Sequence, residues 1–422
     1  MNTTDGAFFA AKINSKRFKK MKKIISFLAF VLLVIQTTQA QETDTTGSEY
    51  LNSAEIMLMN NSRLNIGGYG EVHFNQPVNR GQKDLGTLDV HRIVMFLGYN
   101  FSSKTQFVSE IEFEYAKELW VEQAFLQHRI TRQINFRAGL LLVPMGIINE
   151  YHEPTTFNGV ERPVIDNRIS PATWREVGLG LSGNILPLTL KYQLYAVGGL
   201  NGYDTKGVFN GSSALRDGRQ KGSKAYASSP ALTGKVEFYG IKNLNLGLSG
   251  YAGKSQSKLY SKLPKDNAAL MERADSSVVG ISMIGADARY QYNGLELRGQ
   301  FYYTSIANAG EYNAFTASGA TANDLGKSML GYYVEAGYNV FRPFAGIENE
   351  LVPFIRYEFY DTHNSLEPGT IKNLNYKNTI ITTGLTFNLN QKAVIKTDVQ
   401  FTKSASSEEY NKVFSAGIGV MF

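Results

Sequence analysis

There is no cysteine among the 422 residues, so disulfide staples, thiolate metal ligands and thiol nucleophiles are all excluded. That absence is compatible with an oxidising compartment without establishing one. Long apolar runs are also missing. The longest, Ile24 to Ile35, is about twelve residues, well short of the roughly 20 that a spanning helix needs. No helical periodicity is sustained over a length that could build two or three soluble domains. Neither G-x-S-x-G nor H-E-x-x-H occurs, and the five histidines, His73, His91, His128, His152 and His363, are scattered along the chain. An outer-membrane hydrolase, a lipase or protease borne on a barrel, is therefore the weakest of the function classes, since it needs a nucleophile or activated water beside a base. No ligand spacing points to a bound metal and no motif points to a cofactor. Excess positive charge is missing too, once the leader is set aside. Residues 1–40 hold seven of the 43 basic residues and one of the 37 acidic ones, so the remainder balances at 36 and 36. Nucleic acid is not an expected partner.

The leader is of a different kind from the rest. Met21, Lys22 and Lys23 open a basic segment, the apolar run follows, and Thr37 to Ala40 ends at small residues, the pattern of a secretory signal peptide cleaved near Ala40. Residues 1–20 read as an upstream extension from a start assigned too early. Residues 41–62 are polar with a short apolar patch at Ile56 to Met59, and are expected to form a periplasmic tail.

From Arg63 onwards the chain alternates. Leu64, Ile66, Val72 and Phe74 fall on one face, and Asn65, Glu71 and His73 on the other. Thr105 to Tyr115 sets Phe107, Ile111 and Phe113 against Glu110, Glu112 and Glu114. Three aligned glutamates do not suit the dry core of a soluble sandwich. They suit a barrel with water inside and acyl chains outside. Such runs begin near 63, 88, 105, 118, 134, 174, 188, 230, 243, 278, 294, 328, 350, 377, 392 and 410. The expectation is an all-β transmembrane antiparallel barrel of about 16 strands over residues 63–422, with 14 or 18 as neighbouring counts. Connections sort by length. Short ones lie near 102, 131, 186, 241, 293 and 390, and long ones at 75–87, 143–173, 201–229, 255–277, 307–327 and 361–376. Long extracellular loops opposite tight periplasmic turns are the barrel pattern. The last strand runs to Phe422, and an aromatic closing an amphipathic strand suits recognition by the outer-membrane assembly machinery. Trp120 and Trp174 are expected in an aromatic girdle at the interface.

One connection stands apart. Val143 to Arg175 carries three prolines and interleaves Arg162, Arg168 and Arg175 with Glu150, Tyr151, His152, Glu153, Glu161 and Asp166. A stiff, charged loop of this length is expected to line something wet.

The residues Phe136 to Gly178 (FRAGLLLVPMGIINEYHEP, GVERP, ISPATWREVG) and Glu350 to Tyr360 (ELVPFIRYEFY) resemble the phosphate-selective porins O and P in their Bacteroidetes-type form. The resemblance implies a sixteen-stranded, trimeric architecture whose third extracellular loop folds into the lumen, making Val143 to Arg175 the constriction. It also implies an arginine and lysine ladder on the inner wall. By strand parity the inward cations are Arg63, Arg137, Lys191, Lys235, Arg289, Arg298, Arg356 and Lys396. They share those faces with Glu71, Glu110, Glu112, Glu114, Asp287, Glu296, Glu358 and Asp398, so the wall is mixed. The leading function is passive diffusion of small hydrophilic solutes, anions such as phosphate among them, with Arg137, Arg162, Arg168 and Arg175 converging at the eyelet. The alternative is a structural or binding barrel without transport.

Overall fold

The computed structural model describes residues 50–422 apart from 80, 82, 265, 320 and 321. The signal peptide, the upstream extension and residues 41–49 lie outside the described residues. Sixteen antiparallel strands close into one barrel. They are β1 (Leu64–Pro77), β2 (Thr87–Asn100), β3 (Thr105–Glu114), β4 (Glu118–Arg129), β5 (Asn135–Leu142), β6 (Arg175–Ile185), β7 (Leu190–Val197), β9 (Ala231–Ile241), β10 (Leu244–Lys254), β12 (Gly280–Tyr292), β13 (Leu295–Ala307), β14 (Ser328–Tyr338), β15 (Glu350–Ser365), β16 (Lys377–Asn390), β17 (Ala393–Ser404) and β18 (Asn411–Met421). Two further short strands, β8 (Asn201–Tyr203) and β11 (Gln256–Ser257), pair in parallel in the connections. Every barrel strand begins within two residues of where the alternation places it.

Closure follows from pairing β1 with β18, Tyr69 opposite Met421 and Val72 opposite Ile418. Phe422 completes the seam by exchanging backbone hydrogen bonds with Gly68 at 3.0 and 2.9 Å. Among the described residues the barrel sheet keeps no unpaired edge strand to template aggregation. The faces sort as the alternation requires: Leu64, Ile66, Ile93, Val177, Leu179 and Leu248 are exposed on the outside, while Asn65, Glu71, Glu112 and Lys235 are buried inside. An exposed apolar belt of this extent suits lipid rather than water. The connection at 339–349 is the long one among the tight turns, and residues 115–117 the short one at the opposite end.

The described part of the expected tail is not loose. Residues 53–59 form α1 (Ser53–Met59), started by a reciprocal capping box in which Asn52 accepts from Glu55 N at 3.0 Å and Glu55 accepts from Asn52 N at 3.2 Å. The helix packs against β1, β2 and β3. Met57 occupies the space left by absent side chains at Gly67 and Gly98, and a Cβ at Gly67 would collide with it.

Candidate functional site: the partitioned lumen

The connection from β5 to β6, residues 143–174, crosses the interior. One asparagine staples its two ends, because Asn149 Nδ2 donates to Val143 O at 2.6 Å and Trp174 O at 2.8 Å while Trp174 N donates back to Asn149 Oδ1 at 2.7 Å. Gly146 holds the turn after it at φ +68, where a Cβ would fall on the Tyr302 hydroxyl. From there the loop is tied to inward-facing side chains around the barrel. Lys235 Nζ donates to Gly146 O at 2.7 Å and Ile147 N to Gln300 Oε1 at 2.5 Å. Val160 N donates to Asp398 at 2.7 Å, and Val164 N to Glu358 at 2.6 Å. The loop thus reaches β9, β13, β15 and β17, the wall away from its own roots.

The loop residues named from the sequence come together inside this frame. Glu150 pairs with Lys235 at 3.1 Å and accepts from Gln193. The Tyr151 hydroxyl lies 3.3 Å from Glu237, and its ring sits beneath Arg289 at 4.3 Å. His152 Nε2 bridges Glu110 at 3.1 Å and Glu122 at 3.3 Å. Glu153 accepts from Ser53 N at 2.8 Å and Ser53 Oγ at 2.6 Å, so the loop anchors α1 from above. Arg175 pairs with Glu122 at 3.4 Å, whereas Arg162 donates to His152 O at 3.0 Å and Arg168 to Ser212 O at 3.2 Å.

Along the wall, charges are paired across neighbouring strands. Glu71 meets Arg92 at 2.6 Å, and Arg92 meets Glu112 at 3.4 Å. Lys235 sits between Glu237 at 3.2 Å and Asp287 at 3.7 Å, with Arg289 on Glu237 at 2.8 Å. Lys191 pairs with Glu55 of α1 at 2.5 Å. Arg298 reaches Glu296 at 3.6 Å and Glu335 at 3.8 Å, and Arg356 spans Glu335 and Glu358 at 3.2 and 2.9 Å. Arg137 donates to Gln127 at 2.7 Å and to the Tyr195 hydroxyl at 3.2 Å.

Four placements depart from the sequence reading. Arg137 lines turn-side cavities with Glu55 of α1 and Gln193 rather than converging with Arg162, Arg168 and Arg175, because it lies on the half of β5 away from the long connections. Arg63 precedes β1, is exposed, and donates to the Tyr99 hydroxyl at 2.8 Å. It therefore sits at the turn-end rim rather than on the lumen wall, because parity does not extend beyond the first paired residue. Trp174 is fully buried against Tyr251 and donates to Glu176 at 2.7 Å. Trp120 lines the interior cavity with Lys221 3.9 Å over its ring. Neither tryptophan forms part of an outer girdle.

Sequence reasoning also missed central groups. Glu122 escapes parity because β4 slips register where Glu110 pairs with Gln123 and Ile111 with Val121, leaving Glu122 as the extra residue. Arg216, Arg219 and Lys221 lie in the connection after β7, which its composition marks only as long and polar. Arg219 donates to Ala172 O at 2.9 Å and Thr173 O at 3.1 Å, and Arg216 also reaches Ala172 O. These groups, with Arg162, Arg168 and Arg175, line a cavity of about 420 Å³ on the long-connection side. Among the described residues no carboxylate oxygen pairs with Arg162, Arg168, Arg216, Arg219 or Lys221. Burial, then the like charges of Arg216 and Arg175, pushes Arg219 down to about 9. A second cavity, about 380 Å³, lies on the turn side against Tyr50, Tyr151, Arg289 and Arg298. Phe157 lines both, so its ring is part of the partition. Lys396 holds it there, with Nζ 3.8 Å over the ring and 2.7 Å from the Phe157 carbonyl.

Docking of the loop is pH-dependent, with a definite sign. Burial pulls the His152 ring down, but Glu110 and Glu122 outweigh it and raise it from 6.5 to about 10. Its contribution to docking is therefore full below 6.5 and lost as pH climbs through about 10. Burial pushes the Asp166 carboxyl from 3.8 up to about 7 against the hydrogen bonds from Tyr302 and Gln300, so docking is penalised progressively as pH rises through that window. Glu161 is held down at about 2 by His73, burial notwithstanding, and keeps its contribution until the pH falls below 4.5. Between about pH 5 and about pH 9 the two act in succession and in the same direction, Asp166 up to about 7 and His152 from about 6.5 upward, and loosen the loop. Tryptic cleavage after Arg168, normalised at each pH to the rate on an unfolded substrate, is expected to accelerate over that range; a flat or falling normalised rate would contradict the assignment.

No family model matches the sequence. A protein of Aquifex aeolicus (strain VF5), described as uncharacterized, is 31% identical over 373 residues, covering 85% of this chain and 80% of that protein. Among solved structures, the anion-selective porin from Comamonas acidovorans superposes with a TM-score of 0.53 at 13% identity, covering 85% of this chain and 99% of that one. The outer membrane channel DcaP of Acinetobacter baumannii gives 0.53 at 10% identity, and Salmonella typhi OmpF in complex with daunomycin 0.52 at 12%, each covering 85% of this chain and 97% of the other. At such identities a shared fold is what the superpositions carry. The chain belongs to the family of the Aquifex aeolicus protein, and its fold is the sixteen-stranded barrel of outer-membrane porins.

Proposed function

We propose that this barrel is an outer-membrane channel for passive entry of small hydrophilic solutes, oxyanions such as phosphate among them, narrowed by residues 143–174 from one side and by α1 from the other. The observation that carries the reading is the mouth cavity, where Arg162, Arg168, Arg216, Arg219 and Lys221 come together and none is in an ion pair among the described residues, although Glu114, Glu161 and Asp166 also line it. Guanidinium groups stay charged and present paired donors to an oxyanion, and a low-dielectric rim strengthens their field. The resemblance to phosphate-selective porins O and P points the same way. The paired charges of the deeper wall keep that region polar and nearly neutral, so preference is set at the mouth.

In a KCl gradient across a planar bilayer the reversal potential is expected to report anion preference. Each mouth cation contributes roughly 1 kcal/mol or less at high effective dielectric. Converting Arg216 and Arg219 together to Gln should therefore lower the anion-to-cation permeability ratio several-fold. Cation preference in the parent protein would sink the reading. Phe157→Ala is expected to join the two cavities and raise conductance about twofold or less, since the wall pairs still occupy the lumen; conductance equal to the parent would remove Phe157 from the partition. In the cell, export would proceed through the signal peptide, the turns would face the periplasm, and Phe422 would present the closing strand to the assembly machinery. Assembly as a homotrimer is the expected state, checked by mass measurement in detergent.

One observation favours a second reading, a barrel without transport. Glu110, Glu122, Arg356 and Glu358 are fully buried, so the interior is occluded as it stands. A parent protein with no conductance, in which removing α1 and the loop opens nothing, would select it.

A further inference from the structure

We propose that His73, His91 and Glu161 bind a first-row divalent transition-metal ion at the mouth of the barrel. The two imidazole rings stack with centroids 4.1 Å apart and planes within 12°. One ligand atom from each of the three residues lies within 4.8 Å of the others. What brings His91 there is a slip in the ladder: Glu71 pairs with Arg92 but Val72 with Val90, so His91 is the extra residue of a bulge. A bulge re-aims its side chain, which is why spacing along the sequence does not show the site. Glu161 arrives from the loop and accepts from His73 Nδ1 at 3.1 Å and Asn75 Nδ2 at 2.9 Å.

The surroundings leave oxygens unused. Asn75 Oδ1 and Asp89 Oδ1 are buried with no hydrogen-bond partner among the described residues, and Asp89 Oδ1 lies 3.4 Å from His91 Nδ1. Glu71 pairs with Arg92 through Oε1 at 2.6 Å and meets His73 Nε2 through Oε2 at 3.2 Å, so Glu71, Glu161 and Asp89 are the carboxylates facing the rings. A metal ion would take one nitrogen lone pair from each neutral ring and an oxygen of the carboxylate. Two imidazoles with one carboxylate suit zinc, nickel or copper, whereas magnesium and calcium prefer oxygen alone. Bonds of about 2.0–2.1 Å place ligand atoms roughly 3.3 Å apart, so binding draws the cluster inward. Glu161, on the loop and 40% exposed at its side chain, is the member free to move. The buried trio of Glu110, Glu122 and His152 is a different case: Arg175 pairs with Glu122 there and the groups lock the loop to the wall.

The binding arm of the test does not depend on the channel reading. Titration calorimetry of the untagged, detergent-solubilised protein with zinc chloride should give one ion per chain with micromolar affinity. The Cu²⁺ form should show hyperfine splitting from two imidazole nitrogens. His91→Phe keeps the stacked ring but removes the ligand, and Glu161→Gln removes the carboxylate charge. Each should weaken zinc binding at least about tenfold, the loss already seen for groups that merely orient a ligand. Heat-modifiable gel mobility verifies that each variant is folded. Zinc affinity unchanged in both variants, the absence of nitrogen hyperfine structure, or displacement of zinc by millimolar calcium would each overturn the proposal.

Discussion

Deleting residues 50–60 is expected to raise single-channel conductance roughly twofold or more while leaving the barrel folded. A helix with its side chains is about 10 Å across, and α1 stands inside the turn end of the lumen. Its attachments are specific. Ser53 donates twice to Glu153, Glu55 pairs with Lys191, Gln106 Nε2 donates to Leu58 O at 2.8 Å, and the Tyr151 hydroxyl donates to Tyr50 O at 3.1 Å. None of these belongs to the ladder that closes β1 on β18, so the cylinder survives their loss. What the deletion does expose is charge: Lys191 loses its closest carboxylate and keeps Glu237 at 3.7 Å, while Glu153 loses the helix end it caps. Water entering the emptied space solvates both, so the cost to stability stays small. Single-channel recording alongside heat-modifiable mobility checks the two halves of the claim. Parent-like conductance from a folded deletion variant would show that α1 does not obstruct the path.

The division between what was readable and what was not has physical causes. Strand starts were legible because each barrel strand faces two solvents, so period 2 is imposed along its whole length, as in Leu64, Asn65 and Ile66. The loop was legible as unusual from its prolines and charges, yet its path was not, since its anchors at Gln300, Glu358 and Asp398 are far away in sequence. Parity failed where the ladder slips, and it hid Glu122 and the true surroundings of His91 at two bulges. For α1 a signal existed: Asn52 and Glu55 sit at capping-box spacing immediately before the apolar patch Ile56 to Met59. Nothing local said that this helix would turn back into the barrel. Arg216 and Arg219 carried no signal at all, because two arginines in a polar connection are ordinary until the fold sets them against Ala172 and Thr173.

Arg356→Ala is expected to release the far side of the loop. This guanidinium is fully buried and joins Glu335, Glu358, the Asn158 carbonyl at 3.2 Å and the Glu161 carbonyl at 3.3 Å, so it ties two wall carboxylates to two points on the loop. Removing one member of a buried ion pair costs about 3–5 kcal/mol, chiefly because the partner's charge is left behind. Here two carboxylates are left, and Glu358 also receives Val164 N at 2.6 Å. The strand ladder on either side of Arg356 does not use its side chain, so the loss falls on the loop rather than on the barrel. Conductance should rise and fluctuate between levels, and trypsin should cut after Arg168 more than about tenfold faster, because undocking costs at least about 1.4 kcal/mol less. A second variant separates charge from anchoring. Combining Arg356→Met with Glu335→Gln and Glu358→Gln removes the stranded charges and leaves the amides able to accept from the loop backbone. It should restore most of the protease resistance lost in Arg356→Ala. Should Arg356→Ala resist trypsin as well as the parent does, the loop must be held by its other anchors, Asp398 and Gln300, and Arg356 is not what keeps the lumen narrow.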